Sequence, residues 1–179
     1  MPRRSALVVG LMVAFVGLAC APPPPTTPGT QPQQEMPPAG QLPAPPGVQA
    51  WMAEMLGRLN AERAAVGAQP LAHCTNLDEA AGAHSVDQAL HNNMSHTGSN
   101  GSNPGQRIEA AGYTNWWGWA ENVAAGHGSV PEVMTGWMGS SGHRANILNA
   151  SFNHVGLGLA NAGDGTPYWT QVFGNSGTC

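Results

Sequence analysis

Residues 155–159 read Val-Gly-Leu-Gly-Leu. Apolar side chains alternate there with positions that have no side chain at all. A period of two is the signature of a strand with two distinct faces. Glycine at every second position weakens such a strand unless something approaches closely on the bare face, either another backbone or a bulky ring. The fold must therefore press an element against this strand. A second alternating run, Tyr168 to Phe173, follows a turn-rich connection through Gly163, Gly165 and Pro167, which predicts an antiparallel hairpin.

Helical periodicity precedes these strands. Met52, Met55, Leu56, Leu59 and Val66 predict a helix over 48–66, stopped by Gly67. Asn76 and Glu79 have capping-box spacing, which predicts an Ala-rich helix over 77–91. Residues 94–107 read as loop, and Gln106 to Ala111 as a short helix closed by Gly112. Ala120 to Ala124 reads as a short strand. Ser129 and Glu132 form a second capping box, with Pro131 in the first turn of a helix reaching Met138. His143 to Leu148 adds a further helical turn. Helices first and strands last, without a βαβ repeat, predict an α+β fold.

The N-terminal region differs in kind. Arg3 and Arg4 precede an apolar run from Ala6 to Ala19, short for a membrane span and suited to a signal peptide over 1–20. Gly17-Leu18-Ala19-Cys20 resembles a lipoprotein cleavage site with Cys20 as the acylation point. Gly17 departs from the usual aliphatic residue, and ordinary secretory cleavage is the competing expectation. Residues 21–46 hold 11 of the 16 prolines and read as an extended, disordered tether. Residues 47–179 then form one domain.

That domain has no Lys, and the whole chain carries a net charge of −4. The domain's four Arg form no basic patch to neutralise a phosphate backbone, which argues against nucleic-acid partners. If Cys20 is lipidated, Cys74 and Cys179 remain. Export to an oxidising compartment favours pairing them as a disulfide; two free thiols are the alternative.

Only 9% of residues are charged, so acids and bases for chemistry are few. His96, Glu121 and His143 each sit among Gly, Ser or Asn and come from three separate segments. Converging in one cleft, they would supply two imidazoles and a carboxylate, enough for zinc or another divalent metal with an open position. They would serve equally as a buried polar network. Ser95, Ser99, Ser140 and Ser141 lie near the two His, so a His-assisted nucleophile is conceivable, although no Gly-x-Ser-x-Gly elbow is present. No cofactor is firmly indicated, and metal is the one considered. Asn60 and Arg63 are expected to make structural hydrogen bonds and an ion pair, and His73, His127 and His154 to lie on the surface or in loops. The Trp116-Trp117-Gly118-Trp119 run reads as core, or, where exposed, as a sugar- or lipid-contacting wall.

Several segments together resemble the CAP superfamily (cysteine-rich secretory proteins, antigen 5, pathogenesis-related 1) in its compact bacterial form. They are Leu59-Asn60-Ala61-Glu62-Arg63, Ala83-His84-Ser85, Ser95-His96-Thr97-Gly98-Ser99, Glu121-Asn122-Val123-Ala124, 137–148 and 168–174, in family order. The resemblance implies an α-β-α sandwich, with a three- to four-stranded antiparallel sheet between helices. It implies a cleft whose first His and first Glu are His96 and Glu121, with His84 at its border. The family's second Glu and second His fall on Ser140 and Tyr168 here, so those two are carried only as ligand-binding positions, and His143 would supply an imidazole from elsewhere. Among relatives, lipids or sterols are associated ligands. The expectation is an exported, monomeric binding module, lipid-anchored at a bacterial membrane surface or extracellular. The alternative is a metal-dependent or His-assisted hydrolase of envelope peptide or glycan.

Overall fold

The computed structural model describes residues 48–179. The signal peptide, Cys20 and the whole of the tether expected from the sequence lie outside the described residues. Five helices and four strands follow in the order α1 (Val48–Ala64), β1 (Ala72–His73), α2 (Thr75–His91), α3 (Pro104–Ala110), β2 (Gly118–Ala125), α4 (Val130–Gly139), α5 (Ser141–Leu148), β3 (His154–Asn161) and β4 (Pro167–Asn175).

The sheet runs β1-β3-β4-β2. β3, β4 and β2 are antiparallel neighbours, with Val155 opposite Phe173 and Glu121 opposite Val172. β1 departs from the all-antiparallel expectation. It pairs parallel to β3 through only Ala72 and His73, too short a run to show any periodicity. β2 is an edge strand, and that edge carries the site.

The two faces of β3 are sharply unequal. Val155 and Leu157 join Met55, Leu59, Val133, Trp137, Ile147, Trp169 and Phe173 in the larger core, beneath α1, α4 and α5. Gly156 and Gly158 face α2. A Cβ at Gly156 would overlap the Leu77 carbonyl, and one at Gly158 the Ala81 carbonyl. The approaching element is therefore a backbone, and the alanines of α2 permit it. Leu77, Ala80, Ala81, Ile108, Tyr113 and Val172 form the core on that side. The arrangement is an α-β-α sandwich.

Local starts and stops differ from the sequence reading in instructive places. α1 ends at Ala64, leaving Val66 54% exposed, and Gly67 takes a left-handed φ of 75° that closes the turn. α2 begins at Thr75 with Cys74 as its N-cap, and Asn76 binds the Thr178 carbonyl instead of capping. The complete capping box belongs to α3. Asn103 accepts from the Gln106 amide and Gln106 accepts from the Asn103 amide. At α4, Ser129 accepts from the Glu132 amide, but the Glu132 carboxylate takes the Gly128 amide.

Arg63 is fully buried and makes no ion pair among the described residues. It donates to four carbonyls, those of Gln69, Ile147, Asn149 and Phe152. Two of these lie at the C-terminal end of α5, where the helix dipole favours a cation. Burial lowers the guanidinium's pKa from its usual value. Cys74 and Cys179 form the expected disulfide, with Cα atoms 5.3 Å apart.

Candidate functional site

Strand parity decides which groups meet. Trp119 and Glu121 of β2 project toward α2 and α3, and Asn122 projects toward α5. The Glu121 carboxyl is 1% exposed and has both oxygens engaged. His96 Nδ1 lies 2.8 Å from Oε1, and Arg107 Nη2 lies 2.7 Å from Oε2. His84 Nε2 stands 3.8 Å from Oε1. Two of the expected trio thus converge. The group completing the cluster is Arg107, which the sequence reading did not single out.

His143 is absent from this carboxylate's surroundings because α5 covers the opposite face of the sheet. The Asn122 side chain, on that face, donates to the His143 carbonyl at 3.2 Å and to Gln171 Oε1 at 3.1 Å. Asn146 closes the network, donating to Asn122 Oδ1 at 2.9 Å. The His143 imidazole is less basic than usual, first through burial and then through the charge of His96.

The segment that presents His96 is gripped by buried side chains. His84 Nε2 donates to the Ser95 carbonyl at 2.7 Å, and Gln88 Oε1 accepts from the Ser95 amide at 3.2 Å. Both are essentially inaccessible to solvent. Arg107 Nη2 adds a bond to the His96 carbonyl at 3.1 Å. A loop of Ser, Asn and Gly is thereby fixed, and His96 stands rigidly despite a side chain that is 56% exposed.

The chemistry of His96 follows from its partner. A carboxylate only accepts, so Nδ1 carries the proton, and Nε2 of the neutral ring is left as an acceptor. An open hollow of about 340 Å³ adjoins it, lined by His96, Pro104, Trp119, Ala120, Glu121 and Asn146. Trp119, 36% exposed, packs over Gly105 and walls the hollow; Trp117 is 84% exposed and Trp116 half-buried. The core reading of this run fails at Trp117, whose side chain finds no packed layer. The hollow is polar at one end and aromatic at the other.

A zinc site of three protein ligands does not fit these residues. Among the described residues, no three His, Cys, Asp or Glu side chains form a group that could hold a metal. Of the two expected imidazoles only His96 bonds Glu121, and both Glu121 oxygens serve His96 and Arg107. The serines beside His96 are likewise engaged. Ser95 Oγ accepts from the Thr97 amide, and Ser99 Oγ donates to Asp87. Ser140 is the junction between α4 and α5. Tyr168 packs with Ala89 and Ala162 toward the far end of β4, remote in register from Glu121. Neither lines the hollow. His154, expected on the surface, begins β3 half-buried with its Nδ1 3.0 Å from Tyr113 Oη.

Residues 56–173 match the model of the cysteine-rich secretory protein family, CAP. An uncharacterized Bacillus subtilis protein, YkwD, is 35% identical over 130 residues, which is 73% of this chain and 49% of that protein. The chain thus spans about half the length of that relative. An extracellular Bacillus anthracis protein containing an SCP domain superposes with TM-score 0.66 at 26% identity, covering 72% of this chain and 41% of that one. An outer surface protein of Borrelia burgdorferi gives TM-score 0.65 at 20% identity over 71% of this chain and 93% of that one, a likeness of fold. The family match takes in the strands, the helices and both His96 and Glu121, and the chain belongs to the cysteine-rich secretory protein (CAP) family.

Proposed function

We propose that this protein is a non-enzymatic, exported binding module whose ligand pairs an apolar body with a hydrogen-bonding head. The observation that carries this reading is the half-exposed His96, backed by buried Glu121 and set beside Trp119 in one hollow. The imidazole Nε2 offers an acceptor to a ligand hydroxyl. Trp119, Pro104 and Ala120 offer apolar contact to the remainder, the mix expected of a small-molecule site. A lipid or sterol-like molecule has that chemistry. Export is supported by the signal-like N-terminus and by the extracellular description of the Bacillus anthracis relative. Anchoring through a lipidated Cys20 belongs to the same proposal, and an intact mass of the mature protein tests it. An unmodified first residue overturns the anchor.

Binding is tested by titrating a long-chain alcohol and a fluorescent sterol while following Trp emission. Saturable binding is expected, weakened about tenfold or more by His96→Ala or Trp119→Ala. Binding indifferent to both substitutions overturns the assignment. The Glu121-oriented imidazole is also a competent base. Turnover of peptidoglycan fragments by the native protein, lost in His96→Ala, would replace this reading with the hydrolase one.

A further inference from the structure

β2 is bonded to β4 on one side alone, and its register fixes which main-chain groups face away from the sheet. The Gly174 carbonyl of β4 is turned to β3, where it takes the Asn153 amide. Phe173 is therefore turned to β2, and Val172 again to β3. Glu121, opposite Val172, points its amide and carbonyl outward, and Trp119 does the same two residues earlier. Side chains packed over the edge agree with this parity. Asn146 Nδ2 donates to the Glu121 carbonyl at 3.4 Å, and Trp137 Nε1 to the Val123 carbonyl at 3.2 Å.

That covering stops short of Trp119. The Trp119 amide, the Trp119 carbonyl and the Glu121 amide find no hydrogen-bond partner among the described residues. Unpaired N–H and C=O groups along a strand edge are a template for another chain. The His96 hollow lies over this stretch. Trp119, Ala120 and Glu121 line it from the edge itself, His96 and Pro104 from the α3 face of the sheet, and Asn146 from the α5 face. Glu121 as a whole is 5% exposed and its side chain only 1%, so what it presents to the hollow is chiefly main chain.

The main chain of an extended peptide matches all three groups. A residue opposite Trp119 in antiparallel pairing exchanges two bonds with it, and the residue opposite Glu121 accepts from the Glu121 amide. The side chain opposite Trp119 falls on the indole's own face, where an apolar residue makes the favoured cross-strand pair. A lone hydroxyl would leave part of this edge unmatched. The chain's net charge of −4 favours a neutral or basic segment over an acidic one. We propose that the His96 hollow is a peptide site, in which an extended, apolar, non-acidic segment of a partner protein adds as a short strand to the edge of β2 at Trp119 and Glu121. This rests on the reading of the hollow as a ligand site, since an apolar side chain on a hydrogen-bonding main chain has the chemistry assigned to its guest.

The test is a titration of the ¹⁵N-labelled protein with acetyl-Lys-Val-Leu-Val-Lys-amide, following the backbone amides of Trp119 and Glu121. Saturable movement of both signals is expected, with slowed hydrogen exchange at the Glu121 amide. Single N-methyl groups along the peptide should weaken binding about tenfold at alternate residues and little between them, because successive amides of a strand point to opposite sides. No saturable movement of the two amides overturns the proposal, and so does equal tolerance of N-methyl groups at every position. Tighter binding of the analogue with Glu in place of both Lys overturns the charge preference. A parallel titration with the long-chain alcohol separates the two readings of the hollow. Alcohol binding without peptide binding overturns the strand and leaves the apolar-ligand reading standing. Peptide binding without alcohol binding supports the strand and removes the lipid, and binding of neither overturns both.

Discussion

Glu121 joins the structural and chemical roles of the site in one side chain. Its carboxyl is buried, and its partners differ in exposure: the Arg107 side chain is 11% exposed and that of His96 is 56% exposed. Removing one member of a buried pair strands the other, at about 3–5 kcal/mol. Glu121→Gln leaves the Arg107 guanidinium without its counter-charge and should cost that order of stability in urea unfolding. His96→Ala removes one hydrogen bond from a carboxylate still paired with Arg107, and should cost only about 1 kcal/mol. Equal losses in the two variants would refute this division between support and presentation. The imidazoles make a second test. His84, His143 and His154 all have pKa values lowered from 6.5, each first by burial. As pH falls below about 6.5 the unfolded chain gains protons on these rings that the folded chain resists, so folding stability falls with it. Above that pH the rings are neutral in both states and add no slope. Urea midpoints measured between pH 7.5 and 5.5 should decline toward the acid end; a flat profile would contradict the burial of these rings. Arg107 itself was not legible, because an ion pair between positions remote in sequence leaves no periodic trace. His96 and Glu121 were legible because family motifs surround them.

Among the elements, β3 is where sequence spoke most directly. The alternation of Val155, Leu157 and Leu159 with Gly156 and Gly158 announced both a strand and a close neighbour, and α2 is that neighbour. Gly156→Ala should drive a methyl into the Leu77 backbone, which has no flexible end to move aside. Overpacking of that kind costs typically 1–3 kcal/mol, and a backbone obstacle puts the expectation at about 3 kcal/mol or more. Gly57, exposed in α1 with nothing within 4 Å of its added Cβ, is the internal control. Gly57→Ala should stabilise by about 0.5–1 kcal/mol through helix propensity. Thermal melts of the two variants should shift in opposite directions, and a shared direction would refute the packing account. Other elements were less readable for identifiable reasons. β1 holds two residues and owes its existence to Asn60, which receives the Leu71 amide on its side-chain oxygen and gives its own amide to the Leu71 carbonyl. The Asn103 and Gln106 box lay inside a stretch whose Ser, Gly and Asn content reads as loop. Capping chemistry is local, but which of two plausible caps is used depends on tertiary demand. Asn76 is drawn away by the C-terminal tail.

That tail ties the molecule together. Thr178 binds the Thr114 carbonyl through its amide, and the Asn76 side chain through its own carbonyl; the Gly177 amide donates to Tyr113 Oη. Cys179 is bonded to Cys74, the N-cap of α2. The same helix, further along, carries His84 and Gln88, which hold the His96 segment. Anchorage and presentation thus share one element but occupy different turns of it. The crosslink closes a sequence separation of 105 residues. Loop-closure entropy sets an upper limit of about 4–5 kcal/mol on its contribution. Reduction should lower the urea midpoint by an amount within that limit. It should leave ligand affinity in the His96 hollow unchanged under conditions where the reduced protein remains folded. The hydrogen bonds of Ser95, His96 and Glu121 do not pass through the tail. Cys179→Ser should reproduce the effect of reductant, and free-thiol titration of the unfolded, unreduced domain should find no reactive Cys74 or Cys179. Loss of cleft binding in folded Cys179→Ser protein would mean that the start of α2 controls the distant turn bearing His84, and the separation of roles along that helix would be refuted.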